Sequence, residues 1–205
     1  METTTLGSAE FLDFFDQQFA ALVGEHRAPG FRAMLGALEA RPREGILIVE
    51  TGGLRQPGNF DGDGQSTVIF DAYVQFRRGQ LLSVDLDPVC AAHTRDFCSP
   101  RALAVTADSV AFLHLLSSLG EWRPIDLLYL DSMDLDQDNP APSAQHHLKE
   151  LAAIMPRLGP GSLIAVDDNP LVQGKRQGKG YLVEEFLAGI GARKLYDGYQ
   201  MLWEL

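Results

Sequence analysis

A three-layer α/β sandwich around a mostly parallel sheet is the fold class this sequence predicts, on three observations. Short runs rich in Val, Ile and Leu recur from residue 46 onward, at 46–50 (ILIVE), 81–85 (LLSVD), 102–106 (ALAVT), 125–131 (IDLLYLD) and 162–167 (SLIAVD). Near-continuous apolar strands suit a sheet covered on both faces, because both sides must leave water. Helical segments separate the runs, near 66–78, 88–98, 108–119 and 143–157, with another near 180–190; this alternation builds parallel βαβ units. The tail ARKLYDGYQMLWEL then sets two strand-like runs around Asp197-Gly198, a hairpin signal that supplies one antiparallel strand.

Ahead of the first strand the chain reads as helix. Phe11, Leu12, Phe14, Phe15, Phe19, Leu22 and Val23 recur at spacings of three and four, an apolar stripe opened by Ser8 as N-cap. Pro29 starts a second helix through Met34, Leu35 and Leu38. Residues 1–44 are therefore expected to be a helical extension of a single domain spanning 1–205, with the phenylalanine stripe serving as core or as a homodimer contact.

With 205 residues the chain can bury one sizeable core, and 45% apolar with 22% charged residues is the profile of an ordinary soluble globular protein. A net charge of −11 argues against nucleic acid or an anionic membrane as main partner. It leaves a small molecule or a cation. The opening METTTLGSAEF lacks the basic and apolar regions of a secretory signal, and no apolar run nears the ~20 residues of a membrane span, so a cytoplasmic protein is expected. Cys90 and Cys98, eight apart on one predicted helix, are too distant to bridge and read as free thiols.

Open parallel sheets bind ligands beyond the carboxyl ends of their strands. The first, second and fourth runs end there in Glu50, Asp85 and Asp131, and the fifth in Asp167-Asp168. One such acid would be a solvated loop residue; four on one edge indicate a site. The first junction, VETGGLRQPGNFDGDGQST, carries Gly52, Gly53, Gly58, Gly62 and Gly64, which allow close backbone approach or positive φ, and Ser66 as N-cap of the next helix. It holds neither G-x-G-x-x-G nor G-K-[ST], so the dinucleotide fingerprint and the Walker loop are both missing. Asp85, with Asp87 as alternate, can accept hydrogen bonds from two ribose hydroxyls. Thr106-Ala107-Asp108-Ser109 makes a polar corner suited to an adenine edge, or equally to capping a helix.

In this order (E-x-G after strand one, acid after strand two, A-D-S after strand three, a terminal hairpin) the chain resembles the class I S-adenosylmethionine-dependent methyltransferases over roughly residues 46–205. VDLDPVCAAH and LYLD…GSLIAVDDNP are most similar to the cation-dependent small-molecule O-methyltransferases of the catechol type. The resemblance implies a Rossmann-like seven-stranded sheet, S-adenosyl-L-methionine as cofactor, Mg2+ or another divalent cation, and a small hydroxylated substrate. It sets Glu50 and Gly52 against the methionine part of the cofactor, Asp85 on the ribose, and Asp108 and Ser109 at the adenine; Ser66, opening the helix after the first motif, is counted with the cofactor-binding residues. It makes Asp131, Asp168 and Asn169 the metal ligands. Magnesium prefers about six oxygens, and a metal-bound hydroxyl loses its proton more readily and is held for attack.

Three aspartates follow Asp131. Asp134, Asp136 and Asp138 are expected to border the site or cap the next helix. The catechol-type enzymes carry a lysine three residues beyond the first ligand; here that position is Asp134, so the base would be Asp134 with raised basicity, His146 or His147, or the metal alone would activate the hydroxyl. The insertion 54–64 would reshape the methionine pocket. Residues 173–180 (QGKRQGKG) read as a mobile lid or a plain surface loop. Two rivals remain: a nucleotide-sugar glycosyltransferase using one of three D-x-D triplets (61–63, 85–87, 134–136), and a cofactor-binding protein without turnover.

Overall fold

The computed structural model describes residues 8–41, 43–60, 65–119, 123–172 and 174–205. Two helices come first, α1 (Ser8–Gln18) and α2 (Ala20–Glu39). Ser8 is the first helical residue, and the capping role expected of its side chain lies outside what is described. The break expected at Pro29 falls instead at Gly24, with φ 76°, and Pro29 lies inside α2. Glycine takes that conformation without the steric cost a Cβ brings, so it decides where the helix axis turns.

The alternating region follows the predicted order: β1 (Leu47–Thr51), α3 (Ser66–Phe76), β2 (Gln80–Asp85), α4 (Pro88–Phe97), β3 (Ala102–Thr106), α5 (Ser109–Ser118), β4 (Leu127–Leu130), α6 (Ala141–Ile154) and β5 (Leu163–Val166). A hairpin of two-residue strands, β6 (Leu171–Val172) and β7 (Lys175–Arg176), precedes α7 (Tyr181–Gly189), β8 (Arg193–Asp197) and β9 (Met201–Glu204). The main sheet has seven strands in the order β3-β2-β1-β4-β5-β9-β8. Strands β1 to β5 are parallel, and β9 runs antiparallel to both β5 and β8. The terminal hairpin turns through Gly198, Tyr199 and Gln200, one residue more than an Asp-Gly turn needs.

Side chains alternate across each strand, and in β1, β4, β5 and β9 both sets are buried, while the edge strands β3 and β8 stay partly exposed. Ile48, Leu81, Tyr129, Ala165 and Leu202 pack with Phe15, Phe31 and Leu35 of the front helices and with Phe70 and Tyr73 of α3. Val49, Leu128, Leu130, Val166 and Trp203 face Leu113 of α5, Leu151 of α6 and Leu187 of α7. Burying each such Leu, Ile or Phe contributes about 1.5–3 kcal/mol, which is why uninterrupted apolar runs specify this middle layer. The phenylalanine stripe is spent in part within the chain: Phe11 and Phe15 are buried, Phe14 and Leu22 stay exposed, and Phe31 of α2 stacks on Tyr129 at 6.1 Å between ring centres. Cys90 and Cys98 are free. Among the described residues no helix is long and apolar enough to cross a membrane.

The neighbouring strands β1 and β4 lead into α3 and α6, which pack on opposite faces of the sheet. Their connections diverge at the carboxyl edge, and a crevice opens there, as it does wherever strand order reverses.

Candidate active site

The crevice measures about 340 Å³ and is lined by Asp85 and Leu86 beyond β2, Asp108 and Ser109 beyond β3, and Met133 and Asp134 beyond β4. His146 of α6 closes one wall. Asp85 accepts from Gly53 N at 2.7 Å on one oxygen and from Asp87 N at 2.8 Å on the other, with the Cys90 thiol hydrogen-bonded to it as well. Each carboxylate oxygen can take a second donor, so Asp85 remains able to receive ligand hydroxyls. The alternate, Asp87, is the N-cap of α4, accepting from Val89 N. Asp108 takes the capping role, accepting from Ala111 N of α5 at 2.9 Å, and also lines the crevice.

Beneath this crevice the first junction is tightly drawn. Gly52 has φ 88°, and a Cβ there would lie 2.6 Å from the Asp131 carbonyl oxygen. Glu50 is sealed from water and accepts from Ser66 Oγ at 2.6 Å, Thr67 Oγ1 at 2.7 Å and Ser83 Oγ at 2.9 Å. Burial pushes its pKa up to about 7 against the pull of those hydroxyls. Glu50 and Ser66 therefore face each other and not the crevice. Ser66 is no N-cap either: Gln65 precedes the helix, and the Ser66 hydroxyl is given to Glu50. The described part of the insertion is anchored at its ends, with Leu54 buried and Phe60 against Phe19, while Arg55, Gln56 and Gly58 are exposed.

The acids beyond β4 and β5 do converge, but on a lysine. Lys179 Nζ lies 2.5 Å from Asp131 Oδ1 and 2.9 Å from Asp168 Oδ2, and the side chain is 1% exposed. Burial works against this ammonium, yet Asp131 and Asp168 outweigh it and raise its pKa, so it stays charged. Arg27 reaches in from α2, with Nη2 2.9 Å from Asp168 Oδ1 and Nε 3.3 Å from Asp167 Oδ2. Tyr199 OH donates to Asp168 Oδ1 and Tyr129 OH to Asp167 Oδ2, each at 2.7 Å. Asp168 itself sits at φ 53°, a left-handed conformation that aspartate tolerates better than most residues.

Asn169 takes a different part from the one its sequence position suggests. Its amide donates to the Val166 and Asp167 carbonyls, and its oxygen accepts from Gly180 N at 2.7 Å. Both oxygens of Asp168 and the one oxygen of Asn169 are thus engaged, and Lys179 Nζ holds the point between Asp131 and Asp168. A divalent ion wanting about six oxygens does not fit these residues as they stand. Among the described residues no group of three or more His, Cys, Asp or Glu side chains is arranged to hold a metal.

No family model and no curated protein matches the sequence. Solved structures match its shape. The MycE methyltransferase from the mycinamycin biosynthetic pathway, in complex with Mg, SAH and mycinamycin VI, is 16% identical with a TM-score of 0.63, covering 95% of this chain and 54% of that one. CalS11, a TDP-rhamnose 3′-O-methyltransferase of calicheamicin biosynthesis, is 16% identical with a TM-score of 0.55 over 96% of this chain and 91% of that one. Human methyltransferase-like protein 13 in complex with SAH is 17% identical with a TM-score of 0.53 over 87% of this chain and 80% of that one. The chain has the class I methyltransferase fold. It spans about half the length of the MycE structures.

In this methyltransferase fold, helix α6 builds the crevice floor. His146 Nε2 lies 3.1 Å from Ser109 Oγ and 3.3 Å from Glu150 Oε1. Ser132 and Thr51 hydroxyls also donate to Glu150, which is buried. Hydrogen bonding to Glu150 raises the His146 pKa against burial. His147 is buried with its Nδ1 2.7 Å from the Ser143 carbonyl oxygen, so it does not reach the crevice as a base. Asp134 pairs with Arg55 Nη2 at 2.5 Å across the mouth. Asp136 holds the backbone N–H of Asp138 and Asn139, and α6 has Pro140 at its N-cap position with no side-chain cap, so none of these aspartates caps it. Of the D-x-D triplets, Asp61-Gly62-Asp63 lies outside the described residues, and the other two are engaged as stated.

Sequence reasoning missed Lys179, Arg27, Glu150 and Tyr199. The signal for Lys179 was its glycine flanks. A Cβ on Gly178 would lie 2.0 Å from the Asp168 carbonyl oxygen, and one on Gly180 would lie 2.8 Å from Asn169 Oδ1. Gly178, Lys179 and Gly180 therefore form a buried turn, whereas Gly174, Lys175 and Gln177 of the same segment lie exposed at the surface.

Proposed function

We propose that this protein is an S-adenosylmethionine-dependent methyltransferase acting on a hydroxyl oxygen of a small hydroxylated molecule. The observation that carries the reading is the crevice at the β1/β4 switch point, lined by Asp85, Asp108 and Ser109, in a fold whose neighbours hold SAH. Asp85 would accept from the ribose hydroxyls, Asp108 and Ser109 would meet the adenine, and the Gly52-Gly53 backbone would lie along the methionine part. When bound, the cofactor supplies a methyl group on a positively charged sulfur, which an oxygen nucleophile takes. Asp85, Asp108 and Asp134 line the crevice, and their negative charge favours a cationic ligand. Asp134 and His146 are the side chains positioned at the crevice to receive the acceptor's proton, with Asp131 held in place behind them.

Likeness to cation-dependent enzymes and the Mg in the MycE complexes support a divalent ion. The engagement of Asp131, Asp168 and Asn169 speaks against one, and no step assigned to these side chains requires it. A homodimer through the front helices would use their outer side, where Phe14 and Leu22 are exposed.

Isothermal titration with SAH tests the reading. Wild-type protein is expected to bind one equivalent, and Asp85→Ala to bind at least tenfold more weakly, the loss of a hydrogen bond to a charged group being worth about 1.5–3 kcal/mol. A folded protein that binds no SAH overturns it. Binding without transfer to any polyol or phenol would place the protein among the non-catalytic cofactor binders.

A further inference from the structure

We infer that Lys179 is a resident cation, its ammonium holding the position between Asp131 and Asp168 that a divalent ion would take and so excluding one from this methyltransferase fold. The inference rests on the proposed function only for the expectation of an ion at that place.

The lysine is built in. Its backbone N–H donates to the Asp168 carbonyl oxygen at 3.1 Å, and Gly178 and Gly180 on either side pack against Asp168 and Asn169 too closely for any side chain. Asn169 fastens the same turn through Gly180 N. Two of the three ammonium donors are given to carboxylates, and the chain is closed over them. Three acids (Asp131, Asp167 and Asp168) are faced by two cations, Lys179 and Arg27, which leaves little charge for a dication to neutralise. An entering ion would have to evict the ammonium, or sit beside it against like-charge repulsion in a medium that screens poorly. An ammonium is also a compact point charge with movable donors, so it can replace an ion's charge without demanding octahedral geometry. The acceptor is then activated by side chains alone.

The test is a Mn2+ titration followed by the electron paramagnetic resonance signal of the free ion, run beside SAH calorimetry with and without EDTA. Wild-type protein should leave Mn2+ free to millimolar concentration and should bind SAH equally in EDTA. Lys179→Ala should gain about one Mn2+ per chain, binding at least tenfold more tightly than wild type, and should lose it again in the Lys179→Ala, Asp131→Asn double variant. One Mn2+ per wild-type chain that disappears in Asp131→Asn overturns the inference. So does a folded Lys179→Ala protein that takes up no ion. Should Lys179→Ala fail to fold, wild type and Asp131→Asn decide between them, and Mn2+ that survives Asp131→Asn is bound elsewhere and leaves the exclusion standing. Failure of SAH to bind in every arm removes the methyltransferase reading without touching the manganese result.

Discussion

Glu50 and His147 are both closed off from water, and burial moves their protonation in ways that act oppositely on stability. Burial lifts Glu50 from 4.5 to about 7, opposed by hydrogen bonds from Ser66, Thr67 and Ser83. Between those values the folded chain holds the proton more tightly than the unfolded chain, so this residue's contribution to stability is lost as pH rises through the window. Burial lowers His147 from 6.5 to about 4, outweighing the nearby Glu150. Its contribution is present above 6.5 and lost as pH falls towards 4. The two nearly offset one another in wild type, since every tenfold change in proton affinity is worth about 1.4 kcal/mol whichever group carries it. Glu50→Gln should therefore make the thermal midpoint fall more steeply on acidification from pH 7 to 4.5. His147→Gln should tilt the same curve the other way. Parallel curves for both variants and wild type would refute the assignment.

At the scale of elements, the turn after β1 and the turn before α7 are where backbone meets backbone. Gly52→Ala brings both left-handed strain and a clash with the Asp131 carbonyl, whereas Gly58, at φ 82°, has no atom within 4 Å of an added Cβ. Gly58→Ala should cost only the strain, about 1–2 kcal/mol. Gly52→Ala should cost more, roughly 3 kcal/mol, and should also weaken SAH binding, because the loop it displaces carries Gly53 N on Asp85. Urea unfolding and calorimetry on the pair separate strain from contact. Equal losses for the two variants would mean the β1–β4 approach is slack.

Over the whole molecule, Arg27 is the tie between the front helices and the site. It spans from α2 to Asp167 and Asp168 and stacks on Tyr199 at 4.9 Å. Arg27→Ala leaves a buried acid group short of one cation. Such a loss costs about 3–5 kcal/mol when fully buried, and roughly 2–3 kcal/mol is expected here because the guanidinium is 21% exposed. Arg27→Lys should recover only part of it, since a shorter ammonium lacks the planar, pre-organised fork with which the guanidinium reaches both Asp167 and Asp168. A midpoint of urea unfolding unchanged in Arg27→Ala would show that the front helices are held by their apolar contacts alone.

Residue order alone carried the sheet, its layers and the placing of acids at one edge, because strand and helix periodicities are local and a run such as ILIVE buries both faces only inside a covered sheet; the equally apolar ALAVT became the partly exposed edge strand β3. It also carried the crevice residues Asp85, Asp108 and Ser109, which sit within three residues of strand ends. The partners of those acids were decided by tertiary structure. Lys179 is 48 positions from Asp131, and Arg27 is 141 from Asp168. Such pairs meet only because β5 ends beside β9 and α2 lies across that edge. A charge in a sequence shows its sign but not its neighbours, and it is the neighbours that determine whether an acid cluster holds a metal or a lysine.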